Sequence, residues 1–254
     1  AKSPQQIFGA IAKGIWAKEE GIAREDLIVV SVMPCLAKKY ESSRDEFKVD
    51  GNPDVDYSIT TRELAKLLKQ ANIDLMSLEA SEFDNPLGEY TGAGVIFGRT
   101  GGVIEAATRT AYEWITGETL EEVDFKALRG FEGIRSATVK IGDFDLKIGI
   151  AHGLGEARKM LDMIKVGEAD YHAIEIMACK GGCVGGGGQP YHHGDFSVVT
   201  KRAEGLQSID NNKAIRKSHE NPYIKELYAK HLDKPMSHKA HKLLHTKYFP
   251  KHKI

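Results

Sequence analysis

Two runs in this chain, LIVVSVMP (residues 27–34) and YHAIEIMA (171–178), each lead straight to a cysteine, Cys35 and Cys179. The first is continuously apolar and reads as a strand buried in a parallel sheet. Pro34 has no N–H to give to a ladder, so it stops that strand. The second run reads as another strand. Helical patterns separate the strands, and that alternation predicts an α/β fold with mostly parallel, twisted sheets flanked by helices. Open sheets of this kind place ligands beyond the carboxyl ends of their strands, which is where both cysteines fall.

The remaining pattern fits the same class. AKSPQQIFGAIAKGIWAKEE opens a helix almost at once, with Ser3 as N-cap, Pro4 at the first helical position and Gln6 placed as in a capping box. Ile7, Ala10, Ile11, Ile15 and Trp16 fall roughly on one face. Thr60 or Thr61 caps TRELAKLLKQA, with Glu63 three residues after Thr60. Residues 88–115 read as a glycine-rich loop entering a helix, and 136–153 as a hairpin around Gly142-Asp143 whose second strand is the more apolar. GLGEARKMLDMIKVGEA is a further helix. From about residue 210 the chain is helical, rich in Lys and His, and polar-faced. No repeat of fixed period and no linker rich in Gly, Ser or Pro divides it.

Composition narrows the function. A chain of 254 residues can bury a sizeable core, and a net charge of -1 argues against nucleic acid as the main partner. No apolar run approaches the roughly 18–20 residues of a membrane span, and no charged-then-apolar leader opens the sequence. The start at Ala1, with a capped helix at residue 3, points to something preceding it. Three cysteines (Cys35, Cys179 and Cys183) make a poor disulfide framework. They fit thiols used as metal ligands in a reducing compartment.

Cys179 and Cys183 lie in EIMACKGGCVGGGGQP (175–190), two thiols four positions apart beside a run of glycines. That segment has no Gly-Lys-Ser/Thr, so it is not a P-loop. Gly153-Leu-Gly155 lacks the third glycine of the dinucleotide fingerprint, and GRTGGV (98–103) reads as loop punctuation. Structural zinc takes two short-spaced ligand pairs, whereas here there is one pair and a distant Cys35, with His192 and His193 to complete a set. A thiolate iron–sulfur site fits better. A cubane takes about four cysteines and accepts hydrogen bonds from backbone N–H groups, and glycine lets the backbone approach closely. Cys35, Cys179 and Cys183 supply three ligands.

MPCLAKKYE (33–41) and EIMACKGGCVGGGGQP (175–190) resemble the second and third signature motifs of the [FeFe]-hydrogenase (iron-only hydrogenase) catalytic domain. SPQQIFGA (3–10), DVDYSITTRELAKLL (54–68), VIFGRTGGVIEAA (95–107) and the tail SHENPYIKELYAKHLDKPMSHKAHKLLHTKYF resemble the same family, so the likeness covers nearly the whole chain. One departure is the family's first motif, a Thr-Ser-Cys-Cys-Pro type segment, which is absent. In the family it precedes the Ser-Pro-Gln-Gln helix and carries the fourth cubane ligand and the cysteine assigned to proton delivery.

The resemblance implies an incomplete, two-lobed H-cluster domain over residues 1–209, followed by a helical, small-subunit-like tail over 210–254. It implies the reaction 2H⁺ + 2e⁻ ⇌ H₂ at an H-cluster, a [4Fe–4S] cubane joined to a di-iron unit with CO, CN and a bridging dithiolate. Cys35, Cys179 and Cys183 would hold the cubane, with Cys183 as the bridge. Lys38 would donate to an iron-bound cyanide, a charge-assisted hydrogen bond, and Glu41 would orient Lys38 from one helical turn away. Met33 and Met177 would be soft, apolar walls. Pro4, Gln5 and Phe97 match pocket-lining positions, with Ser3 near them as cap. The implied partners are the N-terminal part of the domain, with its additional [4Fe–4S] or [2Fe–2S] clusters, an electron carrier such as ferredoxin, and radical-SAM and scaffold maturation proteins. The tail's continuity with the catalytic motifs favours the cytoplasmic over the periplasmic form.

Each assignment has a plainer counterpart. Lys38 and Glu41 make a surface ion pair, worth about 0–1 kcal/mol. Met33 and Met177 are core, Gln5 is a solvated first-turn residue, and Phe97 is either pocket wall or core. The six tail histidines (His219, His231, His238, His241, His245 and His252) have no ligand spacing and read as a solvated helical belt. Two other functions compete: a NARF-like iron–sulfur assembly protein without the di-iron unit, and a hydrogen-sensing relative. The His-Lys-Leu-Leu-His-Thr-Lys-Tyr tail argues against the first.

Overall fold

Ser3 starts the first helix as its sequence predicts. Its backbone is extended and its Oγ accepts the Gln6 N–H at 3.5 Å, with Pro4 at the first position of α1 (Pro4–Ile11). In this computed structural model, which describes residues 1–250, the capping box is only half made. The Gln6 amide is fully buried and neither of its polar atoms has a partner among the described residues. Ser3 Oγ instead donates to Glu41 at 2.7 Å. After α1 the helix widens into a π turn over Ala12–Trp16 and closes as α2 (Ala17–Glu19). The wider turn shifts the helical period, so Lys13 and Ala17 are buried and the expected Ile15 and Trp16 are only half-buried. Lys13 is held inside by Asp56 at 2.8 Å and Asn52 at 3.1 Å.

The described chain divides into two units. The first comprises Ala1–Glu89, Gly188–Pro190 and the described residues from Pro222 onward. Its sheet pairs β1 (Val30–Met33) in parallel with β4 (Tyr57–Thr60), Val30 opposite Tyr57 and Met33 opposite Thr60. A two-residue ladder joins β2 (Lys48–Val49) and β3 (Asn52–Pro53). Helix α3 (Ala37–Ser43) follows Cys35. Helix α4 (Thr61–Gln70) starts on a full capping box: Thr60 Oγ1 accepts the Glu63 N–H at 3.1 Å and the Glu63 carboxylate accepts the Thr60 N–H at 2.8 Å. The expectation that β1 is buried is corrected. The parallel pairing holds, but Val30 is 51% and Val32 43% exposed. Val30 and Val32, two residues apart, project from the same face of this two-stranded sheet, and that face stays open to solvent among the described residues.

The second unit comprises Tyr90–Gly187 and Tyr191–Asn221. Here β5 (Ile134–Ile141) and β6 (Phe144–His152) form the expected hairpin across Gly142-Asp143, with Ile141 opposite Phe144. Strand β7 (Ala173–Met177) adds in parallel to β6, His152 opposite Met177. Of the four ladders two are parallel, so the fold is α/β with small parallel and mixed sheets rather than mostly parallel ones. Leu128, Val139, Ile141, Ile148 and Ile150 form the core under this sheet. Helices α5 (Gly92–Val95), α6 (Gly102–Thr116), α7 (Leu154–Lys165) and α8 (Ser197–Asn212) flank it. In the first unit α9 (Pro222–Leu227), a π turn and α10 (His238–Leu244) complete the helical tail. No helix of the described residues is long and apolar enough to cross a membrane.

Arg109 on α6 ties the second unit together. It is fully buried and all five guanidinium N–H groups are engaged: Val123 O at 2.8 Å, Arg216 O at 3.0 Å, Glu105 at 2.9 Å and both oxygens of Asp210 at 2.9 Å. Glu105 also takes Arg99 and Arg129, and Asp210 takes Arg216. Burial alone would raise the Asp210 carboxyl, but hydrogen bonds from Arg109 and Arg216 outweigh it and hold it at about 2. Replacing Arg109 with Met removes the one cation shared by two buried carboxylates, leaving each with only its outer arginines, and should cost about 3 kcal/mol of stability in urea denaturation. The depressed Asp210 pKa stabilises the fold above the carboxyl's ordinary range, near 4. That contribution is lost as pH falls from about 4 towards 2, so Tm should drop across this window in a thermal scan against pH.

Candidate metal centre

In the first unit the site residues gather behind the end of β1. Met33 is its last residue, Pro34 ends it, and Cys35 follows as a half-buried free thiol. The segment Gly188–Pro190 lies against this point. The Gly188 N–H donates to Pro34 O at 3.0 Å, and Arg62 at the start of α4 donates its N–H to Gly188 O at 3.2 Å and Nη1 to Gln189 O at 2.7 Å. A Cβ at Gly188 would lie 2.7 Å from Cys35 N and 2.9 Å from Met33 O, so no larger residue fits.

Lys38, on the first turn of α3, points its ammonium at both Glu41 oxygens, at 3.0 and 3.1 Å. Glu41 also accepts from Ser3 Oγ at 2.7 Å and Gln5 Nε2 at 3.3 Å. Gln5 is buried, with its Nε2 also 3.3 Å from Lys38 O. Its Oε1 takes hydrogen bonds from Ser31 at 2.7 Å and Ser58 at 3.3 Å, residues paired across β1 and β4. The structure therefore brings Ser3, Gln5, Lys38 and Glu41 into one network. Pro4 stands beside it, exposed, at the start of α1. Lys38 is therefore not a loose surface ion pair. Its ammonium has three donor directions, and Glu41 leaves it capacity for another acceptor.

In the second unit β7 delivers Met177, and Cys179 opens the glycine-rich loop. Both loop cysteines are half-buried. The loop is wound on itself: Gly182 N–H to Cys179 O at 3.1 Å, Gly185 N–H to Gly182 O at 3.0 Å, and Gly186 N–H to Cys183 O at 2.9 Å. Gly181 and Gly182 have φ of 83° and 93°. A Cβ on Gly182 would lie 2.6 Å from Thr100 N and 2.9 Å from Met177 Sδ. Val184, between Cys183 and Gly185, is buried with Val199 and Ala203 beneath the loop. Phe97 packs at the edge of a core cluster of Ala93, Ile96 and Ala106, on a short turn ahead of α6.

Several contributors escape the sequence reading. Glu175, inside β7, accepts the Gly101 N–H at 2.6 Å and the Ile104 N–H at 2.9 Å and so caps the start of α6. His152, at the end of β6, accepts the Gly181 N–H at 2.9 Å. Arg62, Ser31 and Ser58 belong with them. A glutamate in the apolar run of β7 was the one available signal. Elsewhere, Glu113, His219 and Glu220 bring three potential metal ligands within 4.8 Å among the described residues, and neither a cysteine nor His192 or His193 belongs to that group. Lys217 already bridges the two carboxylates, at 2.6 and 2.7 Å.

The donor set suits a thiolate-held iron–sulfur group. Cys35 and Cys179 stand just past strand ends, Cys183 opens a short turn further along the glycine-rich loop, and glycines at 182 and 188 allow backbone contacts that any Cβ would block. The comparisons with known proteins agree. The family "Iron only hydrogenase large subunit, C-terminal domain" matches residues 1–187, and "Iron hydrogenase small subunit" matches residues 196–251. The chain belongs to the iron-only hydrogenase family. It is 62% identical, over its whole length and 43% of the relative's, to "NADP-reducing hydrogenase subunit HndD" of Solidesulfovibrio fructosivorans. It is similar to a solved variant of the [FeFe]-hydrogenase HydA1 from Chlamydomonas reinhardtii, with a TM-score of 0.83, 40% identity, and coverage of 97% of this chain and 69% of that one. "Protein NAR1" of Arabidopsis thaliana is 33% identical over 98% of this chain and 56% of its own length. The chain thus spans about half the length of these curated relatives.

Gly182→Ala should strain the loop by about 1–3 kcal/mol, because a Cβ would meet backbone and alanine would be forced to positive φ. Iron retained after anaerobic reconstitution with iron and sulfide should fall well below the wild-type amount, as measured by metal analysis.

Proposed function

We propose that this chain is the motif-two and motif-three part of an [FeFe]-hydrogenase that interconverts protons and H₂, with the fourth cubane ligand and the proton-delivering cysteine supplied by another segment or chain. The observation that carries this reading is the network behind Cys35, in which Ser3, Gln5 and Glu41 steer the Lys38 ammonium. A fixed cation on the helix that follows Cys35 can give an anionic, cyanide-bearing metal unit a charge-assisted hydrogen bond.

Cys35, Cys179 and Cys183 would hold the iron–sulfur part of the H-cluster as thiolates, with Cys183 the residue nearest the di-iron part. When bound, that H-cluster would supply the metal centre at which protons and carrier-delivered electrons combine. Lys38, held in place by Glu41, would donate to a cyanide of that unit. Met33 and Met177 present polarizable, apolar surface that keeps water from the carbonyl ligands. Pro4, Gln5 and Phe97 line the pocket, and Ser3 fixes the start of the helix that carries two of them.

The reading extends to the whole assembly. Residues 1–209 serve as the catalytic part of an incomplete, two-lobed H-domain, and 210–254 as the small-subunit-like tail. Electrons arrive from a carrier such as ferredoxin, radical-SAM and scaffold proteins install the di-iron unit, and the enzyme works in the cytoplasm. The assembly-protein reading is disfavoured by the identity, 62% to a hydrogenase subunit against 33% to the NAR1 protein.

An infrared spectrum of the anaerobically prepared native protein tests this. Sharp bands in the metal-bound CO and CN region are expected, and they should weaken or vanish in Lys38→Asn. Iron without those bands, persisting after treatment with a synthetic di-iron complex, would favour an assembly-type cluster protein. Bands with very low turnover would favour a sensor.

A further inference from the structure

His152 is 1% exposed and its ring is held at both nitrogens. Nε2 lies 3.1 Å from Phe131 O, and Nδ1 lies 2.9 Å from the Gly181 nitrogen. A carbonyl oxygen only accepts, so Nε2 carries the proton. A backbone N–H only donates, so Nδ1 offers its lone pair. One tautomer satisfies both contacts, the neutral Nε2–H form. The backbone around it is equally fixed: His152 N–H donates to Gly133 O at 3.1 Å and Gly153 N–H to Met177 O at 2.8 Å. Phe131, whose carbonyl takes the Nε2 proton, stands edge-on to Phe196 at 5.5 Å, in the apolar cluster under Val184.

Gly181 lies midway between Cys179 and Cys183. Its carbonyl accepts from Thr100 N–H at 3.1 Å, while His152 takes its N–H. Both ends of this peptide position are therefore committed to the body of the second unit. We infer that His152 is a positioning residue for the Cys179–Cys183 loop, orienting the Gly181 amide inward so that this donor is withheld from the sulfurs. The inference rests on reading those two cysteines as cluster ligands. Hydrogen bonds to cluster sulfurs are among the terms that set an iron–sulfur potential, so withholding one N–H keeps the cubane more reducing. Burial lowers the His152 pKa, which is consistent with the neutral ring that the geometry demands.

Two conservative variants of the full chain separate the contacts. In His152→Asn the side-chain oxygen replaces Nδ1 as acceptor for Gly181 but loses the bond to Phe131. In His152→Gln the amide keeps a donor near Phe131 O and loses the acceptor. Hydrogen exchange at the Gly181 amide, read without any cluster, should be slow in the wild type, slow in His152→Asn and several-fold faster in His152→Gln. After reconstitution with iron and sulfide, the midpoint potential should match wild type in His152→Asn and shift positive in His152→Gln, with faster iron loss to a chelator. A merely structural histidine would make both variants alike. Equal Gly181 exchange in wild type and His152→Gln overturns the inference, as does an unshifted potential in His152→Gln. The ligand reading fails separately: if Cys179→Ser leaves the reduced cluster's EPR spectrum unchanged, Cys179 is not a ligand, whatever Gly181 does.

Discussion

Backbone packed directly on backbone is the constraint from which the rest of the site follows. Nothing larger than hydrogen fits between residue 188 and the Met33–Cys35 turn, or between residue 182 and Thr100. Each contact seats a cysteine-bearing segment against a neighbouring main chain. The hydrogen bonds that accompany them, Gly188 to Pro34 and Thr100 to Gly181, are made by main-chain groups alone. Main-chain seating of this kind depends little on which side chains surround it. It asks only that glycine be present and that the flanking strands end where they do.

Side chains then refine what the backbone sets. In the first unit a buried amide, Gln5, is aimed by two serines so that its Nε2 faces Glu41, and Glu41 in turn aims Lys38. In the second, Glu175 and His152 spend their acceptors on main-chain N–H groups at the start of α6 and in the cysteine loop. Neither network requires the other. Each is anchored in the core of its own unit, the second most firmly through Arg109 and its two buried carboxylates.

Much of this was legible in the sequence where the determinants are local. Ser3 and Thr60 cap helices because an oxygen three residues before an N–H can reach it, and Gly142-Asp143 turns a hairpin because two residues suffice. The cysteines and Lys38 were legible through their motifs, whereas their spacing alone left other metals and a plain ion pair open. What was hidden depends on contacts remote in sequence or on a change of helical period. The π turn at Ala12–Trp16 moved the buried face away from Ile15 and Trp16. Ser31, Ser58, Glu175 and His152 act through partners dozens of residues away, and no periodicity encodes that. The apolar run before Cys35 predicted burial because hydrophobicity reports what a strand can cover, not whether anything covers it.

That uncovered strand has a mechanical consequence. Cys35 hangs from the carboxyl end of β1, and among the described residues β1 is paired along one edge, by β4. A thiolate ligand is only as stiff as the strand behind it. Whatever comes to lie on Val30 and Val32 would set the compliance of the Cys35 sulfur, and with it how far that sulfur can follow a cluster as its charge changes. Cys179 follows β7, which among the described residues is likewise paired along one edge, by β6, and the loop after it is pinned at Gly181.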